Sequence, residues 1–187
     1  MIITLKDKNS VWIAVGTGET FMEMHPEDMV HEDNANVWRF PEHSETIMGS
    51  SFAGGIDLNR IRYEGFSGVG EPLTLDNMLL KVAPSLRKIF EECDMMNENR
   101  SWRTLSLATK DRAFIIQNDF TCYEVEDYEV LGNGEDVGCG AMEYYKDLPV
   151  VERIAQTFRA VESNRRRRQF PVVMMNTMTK ERVVIYE

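Results

Sequence analysis

A glycine-rich corner is the first part of the sequence whose residue types could do chemistry. A β-prone run leads into Ser51-Phe52-Ala53-Gly54-Gly55, and residues 56–63 can continue from there as a helix. A strand that turns sharply into a helix leaves the backbone N–H groups of Ala53, Gly54 and Gly55 pointing outward at the positive end of the helix dipole. Such a corner can stabilise an oxyanion, although glycine-rich corners are more often only close-packed bends.

Cys139 is a candidate nucleophile, because it lies between Gly138 and Gly140 and a thiolate near the start of a helix has a lowered pKa. A thiol nucleophile also needs a base. The histidines of the chain are far from Cys139 in the sequence: His25, His31 and His43. We therefore favour the alternative that Cys139 is a small residue in a tight turn.

One acidic segment brings together side chains of the kind that bind metals, namely His25, His31, Glu32 and Asp33. Their spacing matches no standard metal-binding motif, and loops of this composition are usually solvated. We therefore expect no metal here and no cofactor elsewhere in the chain.

A run of four cations, Arg165-Arg166-Arg167-Arg168, follows a helix that we predict to end near Ser163. Cations at the carboxyl end of a helix interact favourably with its dipole, and this is the interpretation we favour. The alternative is a docking patch for an acidic partner or a neighbouring subunit.

The overall composition limits the classes of function. A length of 187 residues with 43% hydrophobic content suits one domain over residues 1–187. The formal net charge of −10 disfavours nucleic-acid binding. No apolar stretch approaches the roughly 18 residues of a membrane helix, and the N-terminus becomes charged too early for a signal peptide. We therefore expect a cytoplasmic protein without membrane contact.

Hydrophobic periodicity and turn residues predict the order strands, two helices, strands, helix, strands. Pro84 could kink or break the second helix, for which Thr74 is the predicted N-cap. This order indicates the α+β class, with helices on the outer faces of packed antiparallel sheets. The predicted strands are 2–5, 11–15, 37–40, 46–55 with its corner, 101–108, 112–117, 121–125, 128–131, 172–176 and 182–186, and the helices are 56–63, 75–90 and 148–163.

With these segments in place, the chain resembles proteasome β-subunits and, more closely, peptidase subunits of the HslV type, which are N-terminal nucleophile hydrolases. Four segments carry the resemblance: residues 2–15, the corner 51–55, the turn-like Val137-Gly138-Cys139-Gly140-Ala141, and residues 172–185. The resemblance implies a four-layer αββα sandwich of antiparallel sheets. It also implies oxyanion-binding amides at the corner, a later helix opened by residues 137–141, and self-association.

The residues at the catalytic positions of this family differ here. In the family a threonine exposed as the first residue is the nucleophile, and its own α-amine is the base. Met1 occupies that position, and we expect it to be retained because the next residue is bulky. The family aspartate falls at Gly16 and Thr17, and the family serine at Cys139. The family lysine falls near Arg39, which keeps the charge but cannot accept a proton.

The sequence therefore predicts a non-catalytic homo-oligomer, a ring or a dimer, with a structural role or an interaction with a protein partner. Two alternatives remain open. One is a threonine peptidase processed to expose Thr4, although the family cleaves after glycine and the residue here is Ile3. The other is an amidohydrolase that uses Cys139.

Overall fold

The computed structural model describes residues 1–16, 36–51, 56–92, 104–165 and 168–186. These residues form ten strands and five helices, with one π-helical segment between the second and third helices. In chain order they are β1 Ile2–Asp7, β2 Ser10–Gly16, β3 Val37–Phe40, β4 His43–Ser50, α1 Ile56–Glu64, α2 Leu75–Asn77, the π-helical segment Met78–Val82, α3 Ala83–Glu92, β5 Leu105–Thr109, β6 Arg112–Ile116, β7 Cys122–Glu124, β8 Tyr128–Leu131, α4 Glu135–Tyr144, α5 Val150–Arg165, β9 Val172–Asn176 and β10 Arg182–Ile185.

The strands form two five-stranded antiparallel sheets. The first sheet has the order β10-β9-β2-β1-β8, and the second has the order β3-β4-β5-β6-β7. The predicted N-terminal hairpin supplies two inner strands of the first sheet, with Ile2 opposite Val15 and Asp7 opposite Ser10. Strand β8 covers the other side of β1, so that Ile2 also lies opposite Leu131. The start of β1 is therefore enclosed by strands on both sides.

Alternation along the strands divides the apolar residues among three layers. One layer lies between the sheets, a second lies under α4 and α5, and a third lies under α1 to α3. Representative residues are Ile2, Ile13, Ile47 and Val173 between the sheets, Ile3, Phe158 and Met174 on the α5 side, and Leu107, Phe114, Leu86 and Phe90 on the α3 side. The predicted four-layer arrangement of helices outside two antiparallel sheets is confirmed.

The second predicted helix is interrupted near the proline that the sequence marks. Thr74 caps its start, where the side chain accepts a hydrogen bond from Asn77 N at 3.1 Å. The backbone then widens into the π-helical segment, in which Ala83 N donates to Met78 O, five residues back. Since Pro84 has no N–H to continue an α-helical ladder, the wider turn lies directly before it.

The hydrophobic pattern did not predict helix α4, and the resemblance implied only a later helix opened by residues 137–141. Its sequence, EDVGCGAMEY, contains two glycines that weaken helix propensity, and the prediction treated this stretch as turns. The structure places α4 against α5 and β8. Tertiary packing therefore outweighs the local preference of these residues.

Candidate functional site

The candidate site is the end of the sandwich where β1 begins, because the resemblance assigns the nucleophile to this position. Gly16 N donates a hydrogen bond to Met1 O at 3.0 Å, which joins the start of β1 to the end of β2. Strand β4 of the second sheet also reaches this end, since a Cβ atom on Gly49 would lie 2.9 Å from Ile2 Cδ1. Both sheets therefore contribute to the site.

The side chain of Met1 is packed into this end of the protein, with 8% of its surface exposed. It belongs to the apolar cluster under α4 and α5. A Cβ atom on Gly132 would lie 3.5 Å from Met1 Cα, and one on Gly138 would lie 3.4 Å from Met1 Sδ and 2.6 Å from Val130 Cγ1. Glycines at positions 132 and 138 thus leave the space that β1 and the Met1 thioether occupy.

The turn that opens α4 is Gly132-Asn133-Gly134, which corrects the sequence-based assignment of that turn to residues 137–141. Gly132 and Gly134 have φ values of +100° and +91°, a region that favours glycine. Glu135 N donates to Gly132 O at 3.1 Å, and the helix follows at once. Gly138, Cys139 and Gly140 lie inside α4 rather than before it. The paired glycines of residues 132–134 were visible in the sequence and were the signal for this turn.

Thr4 lies in the middle of β1, opposite Ile13 on one side and Glu129 on the other. Its side chain is 1% exposed, and its Oγ1 lies 2.7 Å from Ser106 Oγ across the space between the two sheets. The hydroxyl of Thr4 therefore forms a buried hydrogen bond with the Ser106 hydroxyl.

Arg39 is not near the start of β1. Its guanidinium donates to the backbone carbonyls of Ser44 and Asn176, the latter at 2.7 Å. Asn176 lies opposite Trp12, four residues before Gly16 on β2, which corresponds to about 13 Å along a strand. Burial lowers the pKa of Arg39 below its ordinary value. The structure thus does not bring together Arg39 and Met1.

The Cys139 thiol lies in an environment that opposes its ionisation. Burial raises its pKa, and the negative charges of Glu135, Glu129 and Asp136 raise it further. A thiolate nucleophile requires the opposite shift. Tyr128 Oη also donates to the Cys139 backbone carbonyl at 3.4 Å, a contact that involves the peptide group and not the sulfur.

Several sequence-predicted residues lie outside the described part of the chain. These are the corner residues Ala53, Gly54 and Gly55, the position Thr17, the segment with His25, His31, Glu32 and Asp33, and Arg166 and Arg167. Ser51, at the start of the corner, is described: its Oγ and its N both donate to Thr104 O, at 3.1 Å. Helix α5 ends at Arg165, so the arginine run starts at the carboxyl end of that helix.

One cavity among the described residues lies away from Met1, at the hairpin turns of the second sheet. It has a volume of about 450 Å³ and is lined in part by His43, Glu45, Glu71, Lys110 and Arg112. Four of its charged side chains form ion pairs: Lys110 lies 3.6 Å from Glu45, and Glu71 and Arg112 have partners at 2.7 and 2.6 Å. Internal pairing makes this cavity a weaker candidate for a charged ligand.

Among the described residues, no group of three His, Cys, Asp or Glu side chains is arranged to hold a metal ion. None of the helices in this described portion has the length and apolar character needed to cross a bilayer.

No protein-family model matches the sequence, and no curated protein matches it. Solved structures do. BPH from Thiobacillus denitrificans, solved in complex with epoxomicin, has a TM-score of 0.61 and 15% identity over 94% of this chain and 96% of its own. Anbu, the ancestral β-subunit, from Yersinia bercovieri has a TM-score of 0.60 and 16% identity over 100% of this chain and 87% of its own. The eukaryotic HslV from Trypanosoma brucei has a TM-score of 0.54 and 12% identity over 94% of this chain and 97% of its own. The predicted resemblance is confirmed at the level of the fold.

Proposed function

We propose that this chain, which has the fold of proteasome- and HslV-type subunits, is a non-catalytic member of that structural class that self-associates and acts through a structural role or an interaction. The observation that carries the proposal is the packing of Met1 at the start of β1. A methionine side chain has no hydroxyl, thiol or titratable group. Whatever precedes it, this residue cannot be the nucleophile that the resemblance assigns to this position.

The neighbouring position supports the same conclusion. Gly16, where the resemblance assigns an aspartate together with Thr17, has no side chain. A Cβ atom there would lie 2.8 Å from Gln169 O and 2.9 Å from a ring carbon of Phe158. An aspartate at position 16 would therefore require these buried groups to move.

The first rival is a peptidase processed to begin at Thr4. Processing would remove Met1, Ile2 and Ile3, of which the two isoleucines are 0% exposed. Burial of an apolar side chain contributes about 1.5–3 kcal/mol, so the three together contribute about 5–9 kcal/mol. A whole domain is stable by only about 5–15 kcal/mol. Processing would thus remove a large share of the stability and would free Thr4 only by breaking its hydrogen bond to Ser106.

The second rival is an amidohydrolase that uses Cys139. The raised pKa of this thiol works against it, and so does its position one full turn inside α4 rather than at the N-terminus of the helix. Reaction of the native protein with iodoacetamide at pH 7.5 separates the two cases. Under the proposal Cys139 reacts more slowly than the thiol of glutathione, whereas a catalytic thiol reacts faster.

The test of the proposal combines intact mass, ligand binding and peptide hydrolysis. We expect the purified native protein to retain Met1, to bind no epoxomicin in native mass spectrometry, and to cleave no fluorogenic peptide. Thiobacillus denitrificans BPH, which was solved with epoxomicin, is the positive control. A native chain that begins at Thr4, or peptide cleavage that is lost in Thr4→Val, would overturn the proposal.

Self-association is supported by an exposed apolar patch. Leu75, Leu79 and Leu80 lie on α2 and the π-helical segment, and Leu80 is 76% exposed. Neighbouring apolar residues at the surface often mark a protein interface. One of the similar structures is itself described as a β-subunit. Size-exclusion chromatography with light scattering gives the oligomeric mass directly, and a monomer at all concentrations would contradict this part of the proposal.

A further inference from the structure

The helical segment from α2 to α3 carries a line of exposed residues on its outer side. Asp76, Leu80, Pro84 and Lys88 recur every four residues, and all four are exposed. The opposite side of the segment is buried in the apolar layer under α1 to α3. Residues four apart lie on nearly the same face of a helix, and the wider turn of the π-helical segment brings Leu80 closer to the line between Asp76 and Pro84. These residues therefore form one continuous outer surface.

The middle of this line is apolar. Leu80 is 76% exposed, and Pro84, which follows it by four residues, is exposed as well. Leu75 and Leu79 are exposed beside them, so Pro84 extends the exposed apolar patch along the helix. Apolar side chains that lie together in water are unfavourable, and burial against a protein surface removes that cost.

The two ends of the line carry opposite charges. Asp76 lies six residues before Val82, and Lys88 lies six residues after it. Asp76 forms no ion pair with any described residue. Lys88 Nζ lies 3.8 Å from Glu92 Oε1, but the other oxygen of that carboxylate already has Arg60 Nη2 at 2.8 Å. A partner surface can therefore compete for both end charges.

A twofold axis beside Val82 makes this line complementary to itself. In two antiparallel helices related by such an axis, a residue before the axis lies level with the residue that follows the axis by the same number of positions in the other chain. Leu80 then lies level with Pro84 of the partner subunit, and Asp76 lies level with Lys88 of the partner subunit. Each contact occurs twice, which gives two apolar contacts and two ion pairs.

We propose that two copies of this chain associate through the outer side of α2, the π-helical segment and α3, antiparallel about a twofold axis beside Val82. The charges are the argument for a second copy as the occupant, because the acidic end and the basic end match the same surface after a half turn. The inference rests on the self-association in the proposed function, and it adds the surface and its symmetry.

Charge reversal in the full-length protein tests this interface. Asp76→Lys alone and Lys88→Asp alone each place like charges opposite each other at two points. We expect each variant to raise the dissociation constant of the pair about tenfold or more in sedimentation equilibrium. An equimolar mixture of the two variants should recover association close to that of the wild type, because every lysine then lies opposite an aspartate of the other chain. Both positions are exposed, and circular dichroism checks that each variant is folded.

Glu152→Lys is the matched control, since Glu152 is an exposed acid in the first turn of α5, as Asp76 is in the first turn of α2. It should leave the dissociation constant unchanged, and equal weakening by this variant would overturn the proposal. Weakening by both charge reversals without recovery on mixing would overturn the twofold pairing. A wild-type oligomer that neither reversal weakens would overturn this interface alone, whereas a wild-type monomer would overturn the proposed self-association as well.

Discussion

The hydrogen bond between Thr4 and Ser106 allows a direct test of whether Thr4 serves the fold. Its two oxygen atoms lie 2.7 Å apart, and both side chains are buried, at 1% and 0% exposure. Thr4→Val keeps the shape of the side chain and removes its hydroxyl, which leaves the Ser106 hydroxyl buried without this partner. Such a group costs about 1–3 kcal/mol. We expect Ser106→Ala alone to cost a similar amount.

The double variant Thr4→Val/Ser106→Ala should cost less than the sum of the two single variants, because no unpaired hydroxyl remains. The expected coupling energy is about 1 kcal/mol or more, within the range for residues in direct contact. Urea unfolding followed by circular dichroism measures it, and about 1 kcal/mol corresponds to a shift of about 2–4 °C in Tm for a domain of this size.

Thr157→Val is the matched control for this cycle. Thr157 is also 0% exposed, but its hydroxyl donates to Arg153 O within the same helix, at 2.9 Å. Combined with Ser106→Ala it should give additive losses. Additive losses for the Thr4 and Ser106 pair itself would refute a hydrogen bond that joins the two sheets. The structural argument against Thr4 as a nucleophile would then lose its support.

Three further predictions concern α4, the exposed apolar patch and pH. Gly138→Ala should destabilise the protein by about 1–2 kcal/mol, because a Cβ atom there would lie 2.6 Å from a buried side chain. Gly140→Ala should stabilise it by up to about 1 kcal/mol through helix propensity, because no atom lies within 4 Å of the added Cβ. Equal effects of the two variants in thermal unfolding would contradict the packing of α4. Leu80→Asp should shift the mass measured by light scattering toward that of the monomer. Met178→Asp, which also replaces an exposed apolar residue, should leave the mass unchanged. A shift in both variants would mean that the apolar patch is not the interface. Burial raises the pKa of Glu129, so its carboxyl holds a proton to higher pH in the folded than in the unfolded state, and its contribution to stability falls as pH rises through that interval. Glu129→Gln should therefore stabilise the protein at pH 7 and have little effect at pH 4 in urea unfolding, and a gain of equal size at both pH values would exclude titration as its cause.

The hairpin β1–β2 was predictable because two β-prone runs, 2–5 and 11–15, flank the polar turn residues 6–10. The strand pattern sufficed for the element and for its approximate bounds. The terminal hairpin was predictable on the same grounds. Long-range pairing was not, since no local pattern states that β9 joins β2 and β8 joins β1. The resemblance implied a sandwich of antiparallel sheets and gave no strand order.

Arg39 illustrates what sequence spacing cannot supply. The prediction placed it with the catalytic positions because it lies on the strand where the family has its lysine. Which end of that strand faces Met1 depends on the register between β3 and β4, where Val37 lies opposite Gly49. Gly49 lies near Ile2, whereas Arg39 lies opposite Ile47, which is two residues before Gly49 on β4. Arg39 is therefore on the side of β3 that is farther from Met1. The cation that the resemblance places at the catalytic position therefore lies away from Met1, with its guanidinium on the carbonyls of Ser44 and Asn176.

The packing around Met1 is the physical basis of the proposed non-catalytic role. A catalytic first residue needs an accessible hydroxyl, a free amine beside it and room for a substrate. Here the Met1 thioether lies against Gly138 and the Met1 backbone lies against Gly132, in the apolar cluster that packs β1 against α4 and α5. Under the proposed non-catalytic role, an apolar residue that fills this space stabilises the sandwich and occupies volume that a substrate would need. Packing and catalysis therefore compete for the same volume at the start of β1, and in this chain the residues at positions 1, 132 and 138 all favour packing.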